Sequence, residues 1–111
     1  GAVMDVSKGT RSSAKGIGLR IEDLFLAQEP ISLRAKVTGD VSFDTLTAEI
    51  KCVSEDRPVM TRNLIREGDA WALNIEALDA GLYQVKVRTD NASEDAPSPV
   101  HELFSVANLG A

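Results

Sequence analysis

The sequence predicts an all-β fold, a seven-stranded antiparallel Greek-key sandwich over residues 19 to 107. Three observations predict it. From Leu19 onward apolar and polar residues alternate with a period of two, the period of a strand with one buried face. Turn-forming clusters interrupt that alternation about every eight to twelve residues, as in sandwiches of short strands. The chain has 111 residues, 43% of them hydrophobic and 26% charged, which is enough for one core and no second.

The strands follow in order. Ile17, Leu19 and Ile21 alternate with polar or small residues until Gln28-Glu29-Pro30 breaks the run. Ile31, Leu33, Ala35 and Val37 alternate with Ser32, Arg34, Lys36 and Thr38, a two-faced strand that ends at Gly39-Asp40. Leu46, Ala48, Ile50 and Cys52 form the inward face of the third, closed by the polar run Ser54 to Pro58. Val59 to Ile65 and Ala70 to Ile75 flank Arg66-Glu67-Gly68-Asp69, a hairpin in which Gly68 is available for the left-handed position. Tyr83, Val85 and Val87 alternate with Gln84, Lys86 and Arg88, residues 91 to 99 are a polar loop, and Val100 to Val106 is the last strand. A helical period competes only over Ile21 to Gln28 and Arg62 to Leu78, and Gly68 interrupts the second.

The first eighteen residues lack periodicity and carry the Gly/Ser content of a flexible linker or N-terminal arm. Residues 108–111 are a short C-terminal tail. Residues 1–20 have a balance of +3 and the remainder −8, for a net charge of −5. The arm is expected either to be solvated or to dock on the acidic body. A chain beginning Gly1-Ala2-Val3 without an apolar leader reads as a piece of a longer protein. The net charge has the wrong sign for a nucleic-acid footprint or for anionic lipid, and no apolar run approaches the ~20 residues of a spanning helix. Nucleic acid and membrane insertion are therefore not expected.

The segment Asp79-Ala80-Gly81-Leu82-Tyr83-Gln84-Val85 resembles the D-x-G-x-Y-x-C segment of immunoglobulin domains, with Val85 where the second disulfide Cys would stand. It is equally similar to the L-x-x-G-x-Y-x-V-x-V strand of fibronectin III and bacterial immunoglobulin-like modules. The resemblance implies an immunoglobulin-like sandwich with a tyrosine corner: Gly81 lets the chain turn between sheets, and the Tyr83 ring packs inward while its hydroxyl bonds nearby backbone. The sequence departs from antigen-receptor domains. Ala35 replaces the first Cys, so the inter-sheet disulfide is absent, and Trp71 lies on the strand before the corner, with a core role. Pro99 to Val106 looks like the last strand of modules appended to larger bacterial proteins.

One Cys and one His cannot make a structural zinc site. As a nucleophile–base pair they are separated by alternation, since Cys52 shares the inward face of Leu46 and Ile50 while His101 lies opposite Phe104 and Val106. No nucleophile elbow, Walker sequence or complete dinucleotide fingerprint occurs. The expectation is no catalysis and no cofactor. Asp40, Asp44, Asp90 and Asp95 are weak metal candidates, because oxygen-rich loops gathered at one end of a sandwich suit Ca²⁺, although no EF-hand spacing is present and solvated acidic loops explain them too. A sugar-binding platform needs exposed aromatics, and only Phe25 and Phe43 remain once Trp71, Tyr83 and Phe104 enter the core. Asn91-Ala92-Ser93 is a formal glycosylation sequon.

The expected function is that of a non-catalytic interaction, spacer or docking module of a larger bacterial protein, its partner a neighbouring domain or another subunit. Alternatives are an accessory sugar-binding or Ca²⁺-dependent adhesion domain, or a domain positioning an adjacent hydrolase or protease. Val59, Met60, Leu64 and Ile65 carry apolar residues on both faces of one strand, and Leu103 faces away from Phe104. A strand buries one face in its own core, so Val59, Met60, Leu64 and Leu103 form the candidate contact surface. The competing explanation is an edge-strand irregularity, a bulge that turns those residues inward.

Overall fold

The computed structural model describes residues 16–39, 43–90 and 97–108. Among these residues nine strands are formed: β1 (Gly16–Ile21), β2 (Leu24–Leu26), β3 (Ile31–Thr38), β4 (Leu46–Cys52), β5 (Arg57–Asn63), β6 (Ile65–Glu67), β7 (Ala70–Ile75), β8 (Gly81–Thr89) and β9 (Val100–Ala107). They make a four-stranded sheet ordered β1-β3-β7-β6 and a five-stranded sheet ordered β2-β9-β8-β4-β5. The inward side chains of both sheets join in one hydrophobic core.

Alternation becomes burial directly. On β3, Ile31, Leu33 and Ala35 are buried while Ser32, Arg34 and Lys36 are exposed; on β8, Tyr83, Val85 and Val87 are buried. Phe104, Ile31, Leu46, Ile50, Val85 and Val87 are among the most completely buried side chains, each stabilising the fold by ~1.5–3 kcal/mol relative to exposure. The β6–β7 hairpin turns through Gly68 with φ +67°, a conformation that costs a residue with a Cβ.

The sequence-predicted strand over 59–65 is in fact two strands on different sheets. β5 pairs antiparallel with β4 in the five-stranded sheet, whereas β6 pairs with β7 in the other. Leu64 is the crossing point: its side chain is 4% exposed, within the core, and its N–H donates to the Leu46 carbonyl at 2.8 Å. A residue between two sheets is buried whatever the strand parity on either side, which is why the pattern looked two-faced.

Three further differences concern boundaries and pairing. β1 begins at Gly16, inside the segment read as linker, because Gly16, Ile17 and Gly18 continue the β3 register against Thr38, Val37 and Lys36; residues 1–15 lie outside the described residues. The extra strand β2 pairs with β9 in parallel, so the sheets are not wholly antiparallel. Phe25 at its centre is buried and meets the Phe104 ring edge-on at 5.7 Å.

The Tyr83 hydroxyl donates to the Asp79 carbonyl at 2.7 Å, and the ring stacks on Phe104 with centroids 5.4 Å apart. Gly81 is not required for its dihedral. It does not share the positive φ of Gly39 and Gly68, and a Cβ there would meet Ser54 Oγ at 3.4 Å and the Tyr83 ring at 3.5 Å. Trp71 is half-buried at the margin of the core, its ring 5.6 Å from that of Phe43 and 5.8 Å from the Arg66 guanidinium.

Candidate functional site

The sequence-predicted contact residues do not form one surface. β5 carries one more residue than β4 between the pairs Ile50–Met60 and Lys51–Pro58, making Val59 the extra residue of a bulge. Val59 and Met60 are both partly buried against the core, and Leu64 lies within it. The bulge turns Val59 and Met60 inward and the crossing between sheets buries Leu64, so all three leave the candidate surface. Ile65 is exposed on the other sheet, opposite Ala72. Leu103 alone remains, 54% exposed on the outer face of the five-stranded sheet.

Cross-strand register gives Leu103 apolar neighbours. Ser105 on β9 lies opposite Leu24 of β2 on one side and Leu82 of β8 on the other. Beyond Leu82 the row continues to Val53, whose N–H donates to the Leu82 carbonyl at 2.8 Å in continuation of the Cys52–Tyr83 register. Leu103 occupies the next row, opposite Gln84. Of the six exposed large apolar residues among the described residues, Leu24, Leu26, Val53, Leu82 and Leu103 share this face, and only Ile65 does not. Apolar side chains on neighbouring strands of one face are close enough to make a continuous patch.

Four of those residues were missed in the sequence. Leu82 and Leu103 each carried a signal, an apolar residue at the outward parity of its strand. Leu24 and Leu26 flank Phe25 and could be called outward only once Phe25 was known to be inward. Val53 belongs to a turn and gave no signal.

The patch has a charge pattern around it. Two rows along β8 from Leu82 stands Lys86, flanked by Glu49 and by the exposed His101. The Arg88 guanidinium donates to Glu49, and that bond chiefly holds the Glu49 carboxyl below its usual range. Lys51 lies between Gln84 and Pro58 and pairs with Asp56 at 3.2 Å. Asp23, immediately before β2, falls level with Phe104 and Tyr83, on the Lys86 side of Leu82, and its carbonyl accepts from the Ser105 N–H at 2.8 Å.

The remaining candidates resolve separately. Asp90 Oδ1 accepts from the N–H groups of Asp44 and Thr45 at 3.0 and 3.1 Å. These donors hold the Asp90 carboxyl below its ordinary range, the Thr45 bond contributing most, so its role is to clamp the start of the segment leading into β4. Asp44 supplies backbone N–H to that clamp. No group of three or more metal-ligating side chains occurs among the described residues; Asp40 and Asp95 lie outside them, as does the sequon at Asn91. Cys52 is buried with Sγ 3.4 Å from Ser54 Oγ, and His101 is exposed on the other face of the sheet, so the two do not meet. All five aromatic rings belong to the core or pack against it.

On the outer face of the four-stranded sheet a shallow groove of about 790 Å³ is lined by Arg20, Ser32, Arg34, Ala72 and Asn74, among others. Arg34 reaches Glu67 across it at 3.7 Å, an exposed pair worth little. No helix among the described residues is long and apolar enough to cross a membrane. In comparisons with known proteins, no family model and no curated protein sequence matches the chain.

Proposed function

We propose that the chain is an immunoglobulin-like, non-catalytic module that works by protein contact within a larger protein of bacterial type, and that its contact surface is the outer face of the five-stranded sheet around Leu103 and Leu82. The clustering of five exposed aliphatic side chains on that one face carries the reading. Contiguous exposed apolar side chains on a small soluble domain are a mark of contact sites, unlike apolar residues scattered singly.

The strand order supports the immunoglobulin-like assignment. With β1, β3, β4, β6, β7, β8 and β9 taken as strands A to G, one sheet reads A-B-E-D and the other contains G-F-C, the arrangement of such sandwiches. The Tyr83–Asp79 bond has the form of their tyrosine corner. Sugar stacking would need an exposed ring, and none of the five is presented that way.

The test is a photoreactive benzophenone amino acid at position 103 in the full-length parent protein, irradiated in its own cells, with position 36 on the other sheet as control. A discrete protein adduct at 103, absent at 36 and reduced by Leu82→Asp, is expected. No adduct at 103, or equal adducts at both positions, refutes the assignment.

A further inference from the structure

We propose that residues 4–10 return along the free edge of β1 as an antiparallel strand, a strap that closes that edge of the sandwich. The proposal is independent of the contact-surface reading above.

The topology leaves the edge open. β1 ends the four-stranded sheet, with β3 on one side and no strand on the other among the described residues. The Gly16 carbonyl turns toward β3, where it accepts from the Thr38 hydroxyl at 3.3 Å. Facing alternates along an antiparallel ladder, so the backbone groups of Ile17, Leu19 and Ile21 point to the open side. The other strands that end the two sheets are blunted. β5 carries Arg57, Pro58, Arg62 and a bulge, and β2 and β6 are three residues long, all features that oppose edge pairing. β1 has six residues in an unbroken ladder, no proline and one charge, Arg20.

The segment that leads into this edge has the length and the residues to cover it. The chain reaches β1 at Gly16 after residues 1–15. A four-residue loop over 11–14, a common hairpin length, sets Thr10 opposite Lys15, Lys8 opposite Ile17, Val6 opposite Leu19 and Met4 opposite Ile21. Directly opposite residues share a face, so Met4 and Val6 extend the core side beside Leu19 and Ile21, which the described residues bury only in part. Lys8 lays its stem along Ile17 and keeps its ammonium in water.

On the outer face the same register sets Asp5, the sole acidic residue before Glu22, opposite Arg20. Arg20 stands directly across from Arg34, a like-charge pair that costs stability. Arg34 has Glu67 at 3.7 Å, whereas no carboxylate among the described residues lies within ion-pair distance of Arg20. Asp5 supplies the missing charge. A shift of two residues in either direction sets Val3 or Ser7 opposite Arg20 instead.

Nuclear magnetic resonance on the whole chain tests this. The expected result is an amide–amide Overhauser contact between Val6 and Leu19 and an Hα–Hα contact between Asp5 and Arg20, the pattern of alternating pairs in an antiparallel ladder. Val6→Asp should speed hydrogen exchange at the Leu19 N–H about tenfold and leave the Val85 N–H in the core unchanged. Asp5→Lys should speed Leu19 exchange as well, and Arg20→Asp added to it should restore the parent rate. Circular dichroism identical to the parent establishes that the variants fold. Absence of both contacts, or Leu19 exchange unaffected by Val6→Asp, overturns the strap. Contacts in another register, or a double variant no better protected than Asp5→Lys, overturn the Asp5–Arg20 match on which the register rests. Leu19 protection that grows with protein concentration means that a second copy supplies the strand, and overturns closure within one chain.

Discussion

Tyr83→Phe isolates one hydrogen bond, because the ring stays in place. The hydroxyl bond to the Asp79 carbonyl is 2.7 Å long, and the ring beneath it is held against Phe104 in a core position. Asp79 itself is exposed, so water can reach the carbonyl once the hydroxyl is gone. That places the cost at the low end of the range, ~1 kcal/mol, rather than the ~3 kcal/mol of a carbonyl left dry. For a domain near this size ~1 kcal/mol is ~4–8 °C in Tm. Tyr83→Leu removes the stacked ring as well and should cost ~3 kcal/mol or more. Urea unfolding followed by the fluorescence of Trp71, the sole tryptophan, measures both with the slope m unchanged. A Phe variant within about 0.3 kcal/mol of the parent, or a Leu variant no worse than Phe, would refute the corner as a source of stability.

The sole tyrosine also allows a direct titration. Burial, above all, pushes the Tyr83 phenol above its ordinary value; its stabilising contribution is present below about pH 10 and lost as pH rises through the folded value. Tyrosinate absorbance should therefore have its midpoint above 10 in the folded chain and return to about 10 in urea. At the acid end, the depressed carboxyls of Asp90 and Glu49 contribute above their unfolded values of about 4, and that contribution is lost as pH falls through the folded ones. The urea midpoint should accordingly drop below about pH 4, less steeply in Asp90→Asn; an identical acid profile in that variant would remove the clamp. Gly68→Ala should cost ~1 kcal/mol for its positive φ, while Gly81→Ala should cost less, and the reverse order in thermal melts would contradict the backbone description. The Cys52 thiol should label with a thiol reagent only on unfolding, and fast native labelling would contradict its burial.

The position of Asp90 shows how an acidic loop residue acquires a structural role. Its carboxylate receives two backbone N–H donors from the segment entering β4, while its own N–H donates to the Thr45 carbonyl at 3.1 Å. The exchange ties the end of β8 to the start of β4. A carboxylate engaged this way is an anchor between strands, a role that residue type and loop position do not distinguish from metal ligation.

Period-two alternation by itself determined which faces of β3, β4 and β8 turn inward, since each strand is two-faced and a one-residue slip would expose its whole apolar set. The sequence also determined the Gly68 turn and the Tyr83–Asp79 bond, because both act over four residues or fewer. What it could not carry was anything that depends on a second strand. β2 is three residues long and exists through its partner β9; the bulge at Val59 is defined against β4; and Leu64 is buried because the chain changes sheets there. The contact face is the extreme case. Leu24, Val53, Leu82 and Leu103 stand far apart in the chain and become neighbours only through the registers of β2, β9, β8 and β4. Parity tells whether a side chain points out of its sheet, but long-range pairing alone decides what stands beside it.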